Sequence, residues 1–217
     1  MIHTNSIKSP RRQRKRAQKT EMLIDLAMAI VEADGLDSLT MPKLADAADV
    51  AVGGLYRYFA SKEHLKSCLQ VRCAAAFIST LSTVDEAIDH AEPMECVRAY
   101  AQAWSKFAAQ NPTKHALLDQ SLSSPQVLLT DTDALAVDKA LRPALERVVT
   151  HLKEAERLQH ITPGNAWLRT YAIWAAMHGV GHFSKRDRLL PEALHSTHIR
   201  ALLLDSLFTG WSRNAAP

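Results

Sequence analysis

Three cysteines in 217 residues are too few for a disulfide framework, and Cys68, Cys73 and Cys96 have no zinc-ligand spacing. A reducing cytosol is the natural setting for such a chain. Packing is the first role expected of these thiols, with redox sensing second. Glycine is equally scarce, at 7 residues, and with Ala and Leu abundant this favours helices over strands. No stretch of roughly 18 uninterrupted apolar residues offers a membrane span. A signal peptide is not expected, because the apolar stretch after the basic N-terminus contains Asp25 and Glu32 and keeps helical periodicity. There is no nucleophile motif, phosphate-cradling glycine loop, repeat or low-complexity tract, so neither an enzyme nor a cofactor is expected.

Charge is present but unevenly placed. The formal net charge is only +3. Met1 to Thr20 nevertheless holds seven basic residues, among them Arg11, Arg12 and Arg14, and no acidic one. From Glu21 to Lys66 there are four basic and eight acidic residues, and after Lys66 the counts are 15 and 15. The excess is therefore one N-terminal arm, residues 1–16, with almost nothing apolar to bury and expected to be disordered. Such arms track phosphates or enter a minor groove in DNA-binding proteins, although a solvated tail has the same composition.

The chain is organised around Thr40 to Lys62, TMPKLADAADVAVGGLYRYFASK. Thr40 is a good N-cap, and Pro42 sits in the first helical turn, where a missing N–H costs little. Asp49 suits a tight turn. A second helix is expected from Val52 to Phe59, burying Leu55 and Phe59, and Ser61 caps a third. This is helix-turn-helix spacing, which puts the second helix into a DNA major groove. Before it, a helix from about Arg16 to Asp34 carries the stripe Leu23, Ile24, Ala27, Ile30 and Val31 and ends at Gly35.

Gly35, Thr40 and the run GGLYRYFASKEHL resemble the DNA-binding domain of the TetR family of bacterial transcriptional regulators. Leu55, Tyr56, Tyr58, Phe59 and Lys62 carry the resemblance, which covers roughly Lys19 to Leu69. Ala51 and Pro42 stand where the family often has Ser and a basic residue. Arg57 is the candidate base reader, since a guanidinium can bond guanine O6 and N7 together. Thr40, Lys43, Tyr56, Tyr58 and Lys62 suit phosphates, with Tyr56 equally readable as core. Val52, Gly53 and Gly54 open the recognition helix. Two glycines there cost about 1 kcal/mol each relative to Ala, which close approach to DNA would explain.

Further helices are expected from Ser61 to about Thr83, from about Val97 to Asn111, from Lys114 to Ser121, and from Ala134 to Leu158 with Pro143 beginning, kinking or breaking it. One more opens at Thr162-Pro163, and the last runs from His195 to Ser212. Tyr100, Trp104, Phe107, Trp167, Tyr171 and Trp174 read first as ordinary core. The resemblance implies a ligand pocket between their helices, with Tyr171, Gln102 and His178 as polar anchors. His178 and His182 lack a third metal ligand, so no metal is expected.

The whole predicts an all-α protein of about nine helices. An arm at 1–16 precedes a three-helix helix-turn-helix domain at 17–66 and a helical ligand-binding and dimerisation domain at 67–217. The resemblance implies a cytoplasmic, homodimeric regulator pairing through its last two helices, bound to double-stranded operator DNA and released by a small apolar molecule, with no membrane partner. A sequence-tolerant architectural DNA-binding protein and a helical enzyme using the C-terminal histidines are the alternatives.

Overall fold

The computed structural model describes residues 10–123 and 128–213. The arm as far as Ser9 and part of the SSPQVLLTDTD loop lie outside them. Among the described residues the regular structure is helical: α1 (Pro10–Asp34), α2 (Met41–Ala47), α3 (Val52–Leu55), α4 (Lys62–Ala87), α5 (Pro93–Gln110), α6 (Pro112–Ser123), α7 (Asp131–Arg157), α8 (Ala166–Phe183) and α9 (Ser196–Trp211). The chain forms two compact units, one of residues 1–73 and 116–137, the other of residues 74–115 and 138–217.

In the first unit α1 starts six residues earlier than the apolar periodicity predicts. Pro10 to Arg16, expected as disordered arm, forms its first two turns. Proline is well suited to a first helical position, and Arg, Gln and Lys are good helix formers. The stripe Leu23, Ile24, Ala27, Met28 and Val31 is buried. The helix stops at Gly35, whose φ of 83° excludes most side chains. Thr40 then caps α2 by accepting from the Lys43 N–H at 3.2 Å, and Asp49 turns the chain with φ 51°. Ser61 Oγ accepts from the His64 N–H at 3.0 Å and caps α4. Arg72 of α4 pairs with Asp25 at 2.6 Å and with Glu21, fixing α4 to α1.

α4 is long and apolar enough to cross a membrane by length and composition alone. Its Leu65, Leu69, Cys73, Phe77 and Leu81 are instead buried in the protein.

In the second unit α5 ends at Asn111, before Pro112, as the restriction on residues preceding proline requires. Pro143 neither begins nor breaks α7, which is helical on both sides of it. α8 begins at Ala166 and not at Thr162-Pro163. Thr162 is taken up by an extended contact with the end of α9, its N–H donating to the Trp211 carbonyl at 2.8 Å, and Asn165 caps α8 at the Leu168 N–H. The side of α8 that faces the core also differs from the expected one. Ala166, Thr170, Ile173, Met177, His178 and Val180 are buried, whereas Leu168 is 70% exposed and Tyr171 41%. α8 is apolar nearly all round, so its pattern alone does not mark an inner side.

Asp85 of α4, Tyr100 of α5 and Arg147 of α7 meet in this unit. Tyr100 donates to Asp85 at 2.7 Å, and Arg147 Nε and Nη2 reach the same carboxylate at 3.1 and 3.0 Å. Partial burial alone would raise the Asp85 pKa. The hydrogen bonds from Arg147 and Tyr100, with the Arg147 charge, outweigh it and hold the pKa below the usual range. A depressed carboxylate pKa stabilises the fold above the unfolded value of about 3.9, and that contribution disappears as pH falls through the folded value. Asp85→Asn is expected to lower stability to urea at pH 7 by about 1 kcal/mol, the partly exposed site being screened. The difference from the wild type should shrink as pH falls below about 3.9 toward the lower folded-state value. A difference that does not shrink on acidification would contradict the ion-pair account.

Candidate nucleic-acid interface and internal cavity

The first unit presents a candidate reading surface built on two buried anchors. Leu55 and Phe59 are completely buried, and they bracket Tyr56, Arg57 and Tyr58. α3 itself is four residues long, shorter than expected. Beyond it the chain continues as tight turns, with Tyr58 and Phe59 N–H groups both donating to the Leu55 carbonyl at 2.8 and 3.0 Å. Tyr56 is 52% exposed, which removes the core alternative for its ring. The Arg57 side chain is exposed, and Tyr58 and Lys62 are half-buried. Lys43 is engaged within the protein, its Nζ 2.7 Å from Asp34 of α1.

Arg11, Arg12 and Arg14 are exposed on the opening turns of α1. Arg12, Lys15 and Arg16 line a groove whose other side includes Arg57 and Tyr58. Arg16 was not singled out by the sequence. Its Nη2 donates to the Arg57 carbonyl at 2.7 Å, tying the basic turns to the end of the reading surface. Nothing in a one-dimensional pattern signals that contact, since 41 residues separate the pair.

The glycines at α3 are not needed by the fold. A Cβ placed on Gly53 or Gly54 meets no heavy atom within 4 Å, and neither residue has a positive φ. Both lie at the start of a helix beside exposed Val52 and Tyr56. The missing side chains therefore leave room on the outer surface and not in the core.

The second unit holds a cavity of about 60 Å³. Its walls are Phe77 and Leu81 of α4, Tyr100, Ala101 and Trp104 of α5, Leu141, Ala144, Leu145 and Val148 of α7, and Thr170, Ile173, Trp174 and Met177 of α8. The two hydroxyls in that set are already committed, Tyr100 to Asp85 at 2.7 Å and Thr170 to the Ala166 carbonyl at 2.8 Å. Burial and the Asp85 carboxylate push the Tyr100 pKa well up, so the phenol keeps its proton.

Of the residues expected around a ligand, Tyr100, Trp104 and Trp174 line this cavity. Phe107 stands one layer back, its ring 5.2 Å from Phe77. His178 is buried against Trp104 and Trp174, with ring centroids at 5.1 and 5.3 Å. Trp167 lies under the Arg142 guanidinium. Gln102 and Tyr171 are exposed and do not line the cavity. For Gln102 the reason is helical geometry, since Ala101 and Trp104 set the inward side of α5 and Gln102 falls outside it.

Residues 23–66 match the sequence profile of bacterial regulatory proteins of the tetR family. Over that stretch the chain carries the DNA-binding segment of the TetR family. It is 28% identical over 167 residues to the HTH-type transcriptional repressor KstR of Mycobacterium tuberculosis, covering 72% of this chain and 71% of that one. The transcriptional regulator FadR from Bacillus subtilis, solved with stearoyl-CoA, shares the fold at TM-score 0.63 and 17% identity, over 88% of this chain and 98% of that one. AibR, solved with isovaleryl coenzyme A and operator DNA, shares it at TM-score 0.60 and 16% identity, over 87% and 97%. The matched segment runs from Leu23 on α1 to Lys66 on α4 and so contains the whole candidate reading surface.

The glycine geometry predicts a trade of stability against function. Gly53→Ala and Gly54→Ala should each raise folding stability, by up to about 1 kcal/mol. Each should weaken DNA binding at the same time. Improved stability with unchanged DNA affinity would show that the glycines are slack and not clearance.

Proposed function

We propose that the chain is a ligand-responsive transcriptional repressor that binds a palindromic operator as a homodimer and is released when a small apolar molecule fills the cavity. The observation that carries this reading is the exposed Arg57 side chain, standing between two wholly buried anchors beside a glycine-cleared helix. An exposed guanidinium on a fixed backbone suits guanine recognition, while Thr40, Tyr56, Tyr58 and Lys62 suit phosphates. Lys43 can join them only by leaving Asp34. Residues 17–66 are the reading domain in this account, and residues 67–217 bind ligand and dimerise. Action in the bacterial cytoplasm follows from the presence of the DNA there.

Dimerisation through α8 and α9 is supported by apolar side chains that this chain leaves uncovered, with Leu168 70% and Leu202 67% exposed. Two copies would bring two reading surfaces to half-sites about 34–36 Å apart. An apolar effector is supported by the cavity walls. Ligand pockets typically measure about 300–1,000 Å³, so a cavity of about 60 Å³ is the closed form and must widen to admit one. α4 contributes Phe77 and Leu81 to those walls and runs unbroken back to Lys62, beside the cap at Ser61. Widening at one end of this helix is therefore the proposed route to the reading surface. A hundredfold loss of operator affinity requires about 2.7 kcal/mol of coupling, within the usual allosteric range.

The sequence-tolerant architectural alternative draws on the basic turns of α1, and two variants separate the readings. Arg57→Ala is expected to cost about 1–3 kcal/mol on the specific site and to relax preference at one guanine per half-site, leaving random DNA nearly unaffected. Equal weakening on both would make Arg57 a phosphate contact only. Replacing Arg11, Arg12 and Arg14 together by Ala should weaken binding to every sequence and flatten the dependence of log K on log salt. An unchanged slope would remove these residues from the interface.

A further inference from the structure

Away from the reading surface and the cavity, the first unit holds a cluster of reactive side chains. His64, in the first turn of α4, places Nδ1 2.6 Å from Asp133 Oδ1 in the first turn of α7. The Asp133 side chain is only 9% exposed. It also accepts from Ser67 Oγ at 3.2 Å and from Thr130 Oγ1 at 2.9 Å. Its burial would raise its pKa, but hydrogen bonds from His64, Thr130 and Ser67 outweigh that and hold the pKa below the usual range. Asp133 is thus an ionised carboxylate, which can only accept hydrogen bonds. The Nδ1 of His64 must carry the proton of that bond, which leaves Nε2 as the second ring nitrogen. Cys68 Sγ lies 3.9 Å from that nitrogen, one helical turn further along α4.

We propose that Cys68 is a covalent-modification site for soft electrophiles of the Michael-acceptor class, with His64 as its general base and Asp133 as the residue that positions the base. Nucleophile, base and orienting carboxylate stand in the order that activates a thiol. Cys73 and Cys96 are buried, whereas Cys68 is half-buried. Desolvation, the Asp133 charge and Glu21 on α1 push the Cys68 thiol up, against a smaller opposing effect of Ser67. At rest the thiol is protonated, and without a base it would react slowly.

The step balances without an oxidant or a leaving group. As sulfur attacks the β-carbon of an enone or maleimide, its proton passes to His64 Nε2. The S–C bond forms, and the π pair of the double bond moves onto the carbonyl as an enolate. The imidazolium, still held by Asp133, returns the proton, so the S–H has added across the C=C bond. An adduct on Cys68 crowds His64 and separates it from Asp133. The first turns of α4, which carry the buried Leu65 and Leu69 next to the cap at Ser61, then lose one of their two side-chain ties to Asp133 of α7, the other being Ser67. Loss of DNA affinity is the expected consequence, and that part rests on the proposed DNA-binding function.

The test uses N-ethylmaleimide on the full native chain, with labelled peptides quantified by mass. Cys68 should react at least about tenfold faster than Cys73 and Cys96, and its rate should already rise with pH below the thiol range, as general-base assistance requires. His64→Gln should slow Cys68 by about tenfold or more and confine the rise to the thiol range, and Asp133→Asn should slow it as well, because the base loses the carboxylate that positions it. A wild-type rate that rises only in the thiol range, or a His64→Gln rate equal to the wild type, would overturn the assignment. The wild-type curve decides even if a variant misfolds. Full DNA affinity after stoichiometric labelling at Cys68 would overturn the regulatory consequence. Failure of unlabelled protein to bind any DNA would instead count against the proposed function and leave the labelling result standing.

Discussion

The burial of Leu55 and Phe59 is the constraint on which the reading surface depends. A four-residue helix opened by two glycines has almost no stability of its own, because helix nucleation is unfavourable and each glycine adds to the cost. Two fully buried side chains, each contributing about 1.5–3 kcal/mol relative to exposure, supply what the backbone lacks. They fix the three residues between them, so Tyr56 and Arg57 stand outward without holding partners in the core. Arg16 adds a hydrogen bond at the end of that surface. The arrangement separates the two demands on the segment. Apolar residues secure it, and the residues available to DNA are left free of structural duty.

The second unit follows a complementary logic. Its cavity is apolar, and the two hydroxyls in its lining already donate to partners within the protein. The Asp85–Tyr100–Arg147 cluster joins three of the helices that form the walls. An apolar occupant would gain by displacing water, while a polar one would have few groups to meet. α4 supplies Phe77 and Leu81 to the cavity wall, and its stripe from Leu65 to Leu81 is buried along its length.

Much of this was legible in the sequence, for identifiable reasons. Thr40, Asp49 and Ser61 announce their turns and caps through side-chain chemistry that acts over three or four residues, and the structure repeats those local bonds. Helix boundaries set by proline or glycine, such as Gly35 and Asn111-Pro112, were equally readable. Three features were not. The basic opening of α1 has no apolar period, so its charge reads as disorder although its helix propensity is good. α8 is apolar on nearly every side, and only packing decides that Leu168 and Tyr171 face outward. The pairings of Arg16 with Arg57, Asp85 with Arg147 and His64 with Asp133 join residues 41 to 69 positions apart, beyond the reach of local patterns.

The central claim is that one exposed segment, repeated by two-fold symmetry, reads a defined DNA sequence. Selection of bound fragments from a random duplex pool by the purified full-length chain tests it most directly. The account predicts enrichment of a palindromic site, with a fixed guanine in each half-site and an affinity roughly 10³-fold or more above that for random DNA. Recovery of fragments with no shared motif, at affinities equal to the starting pool, would contradict it.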